Sequence, residues 1–467
     1  MPTRAAVLGV SAVLLCGSVP PPHVSGTPGS TGVPSRLVET PGPVKTAFVP
    51  APPMGWNSWD CFGTTVTEAE VKANADYMAA QLSRFGWTFV VVDIQWAEPF
   101  PKTHGYRTNN QDLVLDGFGR LLPASSRFPS AAEGAGFKPL ADYVHSKGLK
   151  FGIHIMRGIP RLAVARDLPV KGTPAHAGEV ADRQHVCPWL DDMYGLDTTR
   201  PYAQAYDDSL LDLYAAWGVD YIKADDMSEH LDEVAALTSA IRKTGRPIVL
   251  SLSPGPADIA EADALKRYAH LWRVSNDVWD SWPAVKATFD LARPWIPLIG
   301  PDHWPDLDML PLGHIGLRAE VGEPRWTRFT RDEQRTVMTL WSILRSPLMF
   351  GGHLPDNDAW TLSLLANPEV IAVDQASAGT RELPARGGLT LYTAREPKSG
   401  DTYVAGFNTG DSGPVEAAIS LPELGVSGRV RVRDLWARQD VGPVDSEVAL
   451  RVAAHGAVLY RLASLAR

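Results

Sequence analysis

The sequence predicts a (β/α)8 barrel followed by a C-terminal antiparallel β-sandwich. Three observations carry this expectation. From about residue 50 the chain alternates strand-like apolar runs with helical periodicities, and eight such units can be counted. The runs of Val, Ile and Leu do not alternate with polar residues, the mark of strands covered on both faces in a parallel sheet. Beyond about Gln375 the texture changes to short alternating segments separated by turn residues, as in a sandwich. A doubly wound sheet would also alternate strand and helix, but no glycine-rich dinucleotide fingerprint follows the first strand.

The first strand is expected near Met54 to Trp59. Thr67-Glu-Ala-Glu70 is a capping box opening a helix with Val71, Ala75, Met78, Leu82 and Phe85 at helical spacing, and Gly86 stops it. Phe89-Val-Val-Val-Asp93 is a continuous apolar strand ending in a carboxylate. Leu140 and Val144 mark the next helix, and Lys150 to Ile155 the third strand. Tyr206, Leu210, Leu213 and Trp217 lead to strand four, Tyr221 to Asp225. Strands five and six are expected over Pro247–Ser253 and Leu271–Ser275, with a helix near Ala262 to Tyr268 between them. After a helix capped by Ser281, the seventh strand is expected over Trp295 to Gly300. Thr330 and Glu333 form a second capping box, and that helix runs into an eighth strand, Pro347 to Phe350. Leu389–Tyr392, Thr402–Ala405, Val430–Arg433 and Ala457–Tyr460 are the clearest sandwich strands.

Composition narrows the function classes. Apolar residues make up 45% and charged residues 21% of 467, ordinary for a soluble globular chain. A net charge of −9 argues against a nucleic-acid partner, which wants a basic face. The 15 Trp residues supply core and also flat apolar faces of the kind against which sugar rings pack. At the N-terminus, Arg4 and the apolar run Ala5 to Leu15 read as a signal peptide, too short to span a bilayer. Cys16 raises lipid anchoring as an alternative, but Leu15 stands where a small residue would be wanted, so simple secretion is expected. The organisation read from the chain is a signal peptide at 1–25, a Pro/Gly-rich linker at 26–45, the barrel at 46–376 and the sandwich at 377–467. No membrane span is expected, and nothing in the sequence specifies an oligomeric state.

In such barrels the working groups come from the C-terminal ends of strands. Asp93, Asp225, Asp277 and Asp308 all fall there, with His154, Lys223 and Arg273 at or near strand ends. An isolated Lys223-x-Asp225 would read as a structural ion pair, whereas four carboxylates on one rim make a site the better explanation. No cluster has metal-ligand spacing, and neither a nucleophile elbow nor a phosphate loop is present, so no metal or cofactor is expected. Two carboxylates working without either suit glycoside hydrolysis. Lys223, on the same strand face as Asp225, is expected to favour its ionised form, and burial or neighbouring carboxylates to keep Asp277 protonated. Asp226 is the competing nucleophile candidate but points to the other side of the strand. Asp258, Asp263, Asp280 and the Asp191-Asp192 pair are expected to be solvated loop or helix-cap residues.

Met54-Gly-Trp-Asn-Ser-Trp59, Val92-Asp93, Tyr221-Ile-Lys-Ala-Asp225, Trp272-Arg-Val-Ser-Asn-Asp277, Trp304-Pro-Asp-Leu-Asp-Met-Leu310, Trp341 to Pro347 and Val370 to Gln375 resemble, in order, the motifs of the family 27 glycoside hydrolases, the α-galactosidases and their relatives. The resemblance covers essentially the whole barrel. It implies a barrel followed by a sandwich and a retaining mechanism, with Asp225 as nucleophile and Asp277 as general acid/base. It also implies that Trp56, Asp93, Lys223, Arg273 and Asp308 hold the sugar, with His154 and Ser253 at further substrate-binding positions.

The departures from that pattern bear on specificity. Galactose-specific members carry two adjacent Asp after strand two, where this chain has Asp93-Ile94. His154 stands where Tyr is usual, and Ser253 where a Glu recognises the 2-position. Gln95 and Met227 replace two half-cystines, leaving Cys61 and Cys187 without their usual partners. The leading expectation is a secreted, exo-acting α-galactosidase-type enzyme acting on an oligosaccharide or polysaccharide. Alternatives are the same chemistry on another sugar, as an isomaltodextranase-type α-glucan hydrolase or a β-L-arabinopyranosidase, and a catalytically silent carbohydrate-binding barrel. Ile94 and His154 favour a change of sugar.

Overall fold

The structure, a computed structural model, describes residues 48–108 and 111–465, so the expected signal peptide, the linker and Cys16 lie outside it. Eight parallel strands pair strictly in chain order: β1 (Met54–Asn57), β2 (Phe89–Val92), β3 (Lys150–Met156), β4 (Tyr221–Asp225), β5 (Val249–Leu252), β6 (Leu271–Arg273), β7 (Trp304–Asp306) and β8 (Leu348–Phe350), with β8 returning to β1. A parallel bridge between Leu310 and Phe350 closes the ring, with the Leu310 amide donating to Met349 at 2.8 Å and the Gly351 amide to Leu310 at 3.0 Å. Among the described residues, no helix is long and apolar enough to cross a membrane.

Strand parity divides the core in two. Met54, Trp56, Val90, Val92, Ile153, Ile222 and Leu250 face outward and pack under the helices. Phe89, Val91, Tyr221, Val249, Leu271 and Trp304 alternate with such residues and fill the barrel interior. The interior parity continues past Phe89 and Val91 to Asp93, past Tyr221 to Lys223 and Asp225, and past Leu271 to Arg273, which points these side chains at the C-terminal mouth.

Both capping boxes form. Thr67 and Glu70 open α1 (Glu68–Gln81), and Thr330 and Glu333 open a later helix, Arg331–Ile343, that carries the sandwich. The seventh strand departs from expectation. Residues Arg293–Leu298 are a 3-10 helix continuing the preceding helix, because Pro294 and Pro297 withhold the amides a strand ladder needs, and β7 begins at Trp304 instead. The first strand is also shorter than expected, ending at Asn57 before a helical turn over Trp59–Phe62.

The sandwich has six antiparallel strands in one sheet, and Val415–Ser420 paired with Glu447–Val452 in the other. It docks on the barrel through apolar and polar contacts. Phe407 meets Phe289 edge-on, with ring centroids 5.2 Å apart. Trp436 donates to Thr339 at 2.9 Å, and Arg433 clamps Glu369 with two bonds of 2.7 Å. His455 lies flat on Trp282 with centroids 4.2 Å apart, and its two ring nitrogens sit 2.8 Å from Glu333 and 2.8 Å from Asp411.

Burial by itself would lower the His455 pKa, but the two carboxylates outweigh it and raise the value. Stability from this clamp is therefore complete below the unfolded value of about 6.5 and is lost as pH rises through the folded one. The melting-temperature gap between the wild type and His455→Asn should narrow from pH ~5.5 to pH ~9, read by scanning calorimetry; a gap that is constant or widens contradicts the clamp.

Candidate active site

The mouth of the barrel opens into a cavity of about 480 Å³, within the range of small-molecule sites. At its floor, Asp93 is almost fully buried and saturated with donors. Asn57 and Lys223 reach one oxygen at 2.7 and 2.9 Å, and the Ile94 amide reaches the other at 2.9 Å. Burial works against its charge, but Lys223, His154 and these donors hold its pKa below the usual carboxylate value. Lys223 is thus bonded directly to Asp93, and it favours the ionised form of Asp225, as expected, through its charge alone. Its ammonium is buried, yet Asp93 and Asp225 raise its pKa.

Asp225 meets a different partner. His154 Nε2 lies 3.1 Å from its carboxylate, and the Asp226 amide donates to it at 3.1 Å. Burial alone would raise the Asp225 pKa; His154, the charge of Lys223 and the nearby Ser253 hydroxyl bring it well below normal. His154 is itself oriented from behind, because the Trp96 indole donates to its carbonyl at 2.7 Å.

Across the cavity, Arg273 bridges two carboxylates, Asp308 at 2.8 Å and Asp277 at 3.0 Å. The Val278 amide holds the other Asp308 oxygen at 2.7 Å, and the Trp341 indole donates to the Asp308 carbonyl at 2.8 Å. This fixes Asp308 at φ 94°, a conformation costly for a non-glycine residue. Burial pushes its pKa up to about 7; Arg273 opposes this and Asp277 adds to it. Asp277 does not have the burial expected for it: its side chain is 58% exposed, against 15% for Asp225. Its acidic neighbours are present, since its charge raises Asp308, Asp60 and Glu320.

Several expectations are corrected. Trp56 is not on the cavity wall. It has outward parity, is completely buried under the helices and donates its indole N–H to Gly352 at 2.8 Å. The wall is formed by Trp59, three residues further on and past the end of β1, whose ring stacks on Tyr106 with centroids 5.6 Å apart. Tyr106 in turn lies 5.4 Å from Trp189. Asp226 takes no part: it bonds to Arg157 at 2.9 Å, which also holds Glu233 at 2.6 Å. Asp280 and Asp192 are buried and not solvated, Asp280 paired with Arg325 and Asp192 accepting from Gln95 at 2.9 Å. Asp258 does cap a turn, accepting from the Ala260 amide. Cys61 and Cys187 are free and buried.

Sequence reasoning also passed over Asp60, Tyr106, Trp189 and Glu320, all on the cavity wall. Asp60 lies three residues beyond the strand end and directly after Trp59, so it could have been found by carrying the motif one residue further. One of its buried oxygens has no hydrogen-bond partner, and burial with Asp308, Asp93 and Asp277 pushes its pKa well up despite Lys223. The side chain occupies the space a Cβ would need at Gly351. The other three come from long loops, which carry no strand or helix pattern to place them.

This arrangement gives one carboxylate held ionised at the floor and a second, solvent-reachable carboxyl at the mouth, suited to displacement at an anomeric carbon. Comparison with known proteins agrees. Residues 190–376 match the melibiase profile described as “Alpha galactosidase A”, and residues 387–462 match the “Alpha galactosidase C-terminal beta sandwich domain”. Alpha-galactosidase 3 of Arabidopsis thaliana is 30% identical over 88% of this chain and 81% of its own length. The chain belongs to glycoside hydrolase family 27. A family 27 β-L-arabinopyranosidase from Geobacillus stearothermophilus, solved in complex with arabinose, aligns at 49% identity over 89% of this chain and 98% of its own, with a TM-score of 0.87. An α-galactosidase of Mortierella vinacea shares the fold at 23% identity and a TM-score of 0.68. As a family 27 member the chain is a glycosidase of the melibiase superfamily, with the barrel and sandwich that family combines.

Asp308 has a raised pKa in the folded state, so the native protein binds a proton there that the unfolded chain has lost by about pH 5. Ionising it between about pH 4 and 7 therefore costs stability. Asp308→Asn should raise the melting temperature more at pH ~8 than at pH ~5 while lowering kcat/KM. A gain that is larger at the acid pH contradicts the assignment.

Proposed function

We propose that this chain is a secreted, exo-acting, retaining β-L-arabinopyranosidase, with Asp225 as nucleophile and Asp277 as general acid/base. The observation that carries the choice of sugar is Ile94. It is 3% exposed, follows Asp93 directly and forms part of the cavity wall. β-L-Arabinopyranose has the ring configuration of α-D-galactopyranose without the C6 hydroxymethyl group. An apolar side chain, where galactose-specific members have a second Asp, suits a sugar with no hydroxyl to satisfy there. The 49% identity to the Geobacillus stearothermophilus β-L-arabinopyranosidase, against 30% to plant α-galactosidases, supports the same reading.

The proposed mechanism follows from the two environments. Asp225 attacks the anomeric carbon while Asp277 passes its proton to the leaving oxygen, and a covalent glycosyl-enzyme forms. Asp277 then takes a proton from water, which attacks the same carbon and releases Asp225. The mouth position of Asp277 fits this exchange with leaving group and water, and the floor position of Asp225 fits a group that stays charged and dry. Asp93, Lys223, Arg273 and Asp308 orient the ring hydroxyls; His154 positions Asp225, and Ser253 leaves room at the 2-position. The positive and apolar N-terminal stretch supports export.

A panel of 4-nitrophenyl glycosides tests the sugar, with product anomers followed by NMR. The β-L-arabinopyranoside should give the highest kcat/KM, with retained configuration. Ile94→Asp should move the preference toward α-D-galactopyranoside by about tenfold or more, the scale of one polar contact in a desolvated site. Higher kcat/KM on the galactoside in the wild type would overturn the sugar assignment, and an inverted product would overturn the mechanism.

A further inference from the structure

The floor of the cavity accounts for one sugar ring, but its mouth holds groups that this role does not use. Glu320 sits on the long segment between β7 and the helix Arg331–Ile343, and it is on the cavity wall with Asp277. That segment is firmly anchored. Gly316 donates to the Asp60 carbonyl at 2.8 Å, Arg318 to Cys61 at 2.9 Å, and His104 contacts the Ala319 carbonyl at 2.7 Å. The backbone leading into Glu320 is therefore fixed, while among the described residues its half-buried carboxylate has neither a hydrogen-bond nor an ion-pair partner. Burial and the charge of Asp277 both raise its pKa.

Two more groups at the mouth share this character. The Tyr106 ring is fixed between Trp59 and Trp189, yet among the described residues its hydroxyl has no hydrogen-bond partner. Tyr106 and Glu320 line the same cavity, and after burial the charge of Glu320 is the foremost influence raising the Tyr106 pKa. Trp279, two residues after Asp277, is a half-buried part of the wall and stacks on no other ring among the described residues. Glu320 and Tyr106 are both only partly buried and reach solvent, so the hydroxyls of a ligand can replace water on them without first breaking a bond within the protein.

We propose that Glu320, Tyr106 and Trp279 form a leaving-group subsite that takes a neutral saccharide. The position follows from Asp277: the group that protonates the leaving oxygen must have the leaving residue beside it, and Glu320 and Trp279 flank that place. The chemistry follows from the three side chains. A carboxylate accepts from two neighbouring hydroxyls, a phenol donates or accepts one bond, and an indole face covers the apolar face of a pyranose. An aryl or alkyl leaving group would use the indole but leave the carboxylate unmatched. Glycosides whose leaving group is itself a sugar are therefore the preferred substrates. This rests on the glycosidase mechanism above and not on the identity of the sugar at the floor.

The test compares a disaccharide with the 4-nitrophenyl glycoside of the same non-reducing sugar, in an L-arabinopyranosyl pair and a D-galactopyranosyl pair. Wild type, Glu320→Gln and Tyr106→Phe are assayed on each. The ratio of kcat/KM, disaccharide over aryl glycoside, should fall about tenfold in Glu320→Gln and by a smaller factor in Tyr106→Phe, as expected for losing a charge-assisted and a neutral hydrogen bond. A merely structural role would lower both substrates together and leave the ratio in place. A ratio that does not fall in either variant overturns the proposal. If only the galactosyl pair is hydrolysed, the assigned sugar fails while the ratio still decides the subsite.

Discussion

The rest of the site depends on two buried cations shared among more carboxylates than they can neutralise. Lys223 and Arg273 stand at the interior-facing ends of β4 and β6, and around them lie Asp60, Asp93, Asp225, Asp277 and Asp308. Each carboxylate takes a different share. Asp93 has Lys223 by direct contact, Asp225 has His154 with Lys223 at longer range, and Asp277 and Asp308 divide Arg273. Asp60 has neither cation in direct contact and, with one oxygen unpaired, is driven toward its neutral form. Unequal sharing is what turns a set of chemically identical groups into distinct ones. It keeps the floor carboxylate anionic and leaves Asp308 able to hold a proton up to about 7.

Such a cluster repels itself, and the fold holds it from behind with tryptophan. Three completely or nearly buried indoles each donate to a main-chain carbonyl at the mouth: Trp56 to Gly352, Trp96 to His154 and Trp341 to Asp308. Each buries a large apolar surface under the helices and uses its one polar atom to fix backbone at the strand ends, Trp96 and Trp341 at the site residues His154 and Asp308 themselves. The many tryptophans therefore serve two purposes, with Trp59, Trp189 and Trp279 facing the cavity and a different set bracing it. The sandwich adds support through Arg331–Ile343, the helix that carries Trp341 on its barrel side and meets His455 and Trp436 on the other.

The barrel was legible because strands buried on both faces leave unbroken apolar runs, and because capping residues mark where helices begin. β7 was hidden for the opposite reason: it is three residues long and contains Pro305, so it offers neither length nor a full ladder. The apolar Trp295–Gly300 run beside it was the stronger but misleading signal. Around the cavity, Asp93, Lys223, Asp225 and Arg273, which share the interior parity of Phe89, Tyr221 and Leu271, do reach its wall as strand alternation predicts. Trp56 was the exception because its motif holds two tryptophans and only parity separates them: Gly55 and Asn57 face the interior, so Trp56 cannot. Tyr106, Trp189 and Glu320 were beyond sequence reasoning because they arrive from loops whose paths are set by tertiary contacts such as those of Arg318 and His104.

On the proposed reading, Ile94 beside Asp93 is where the cavity departs from a galactose-directed site. The charge arrangement rests on Asp93, His154, Lys223, Asp225, Arg273 and Asp308, with the Ser253 hydroxyl beside Asp225, whereas the apolar Ile94 side chain takes no part in it. The proposed mechanism makes Asp225, and no other carboxylate of the cluster, the residue that forms the covalent intermediate. The direct measurement is peptide mass spectrometry after trapping with a 2-deoxy-2-fluoroglycosyl fluoride of the preferred sugar. A single adduct on Asp225 is the predicted result, and an adduct on Asp226, Asp277 or Asp60 would contradict it.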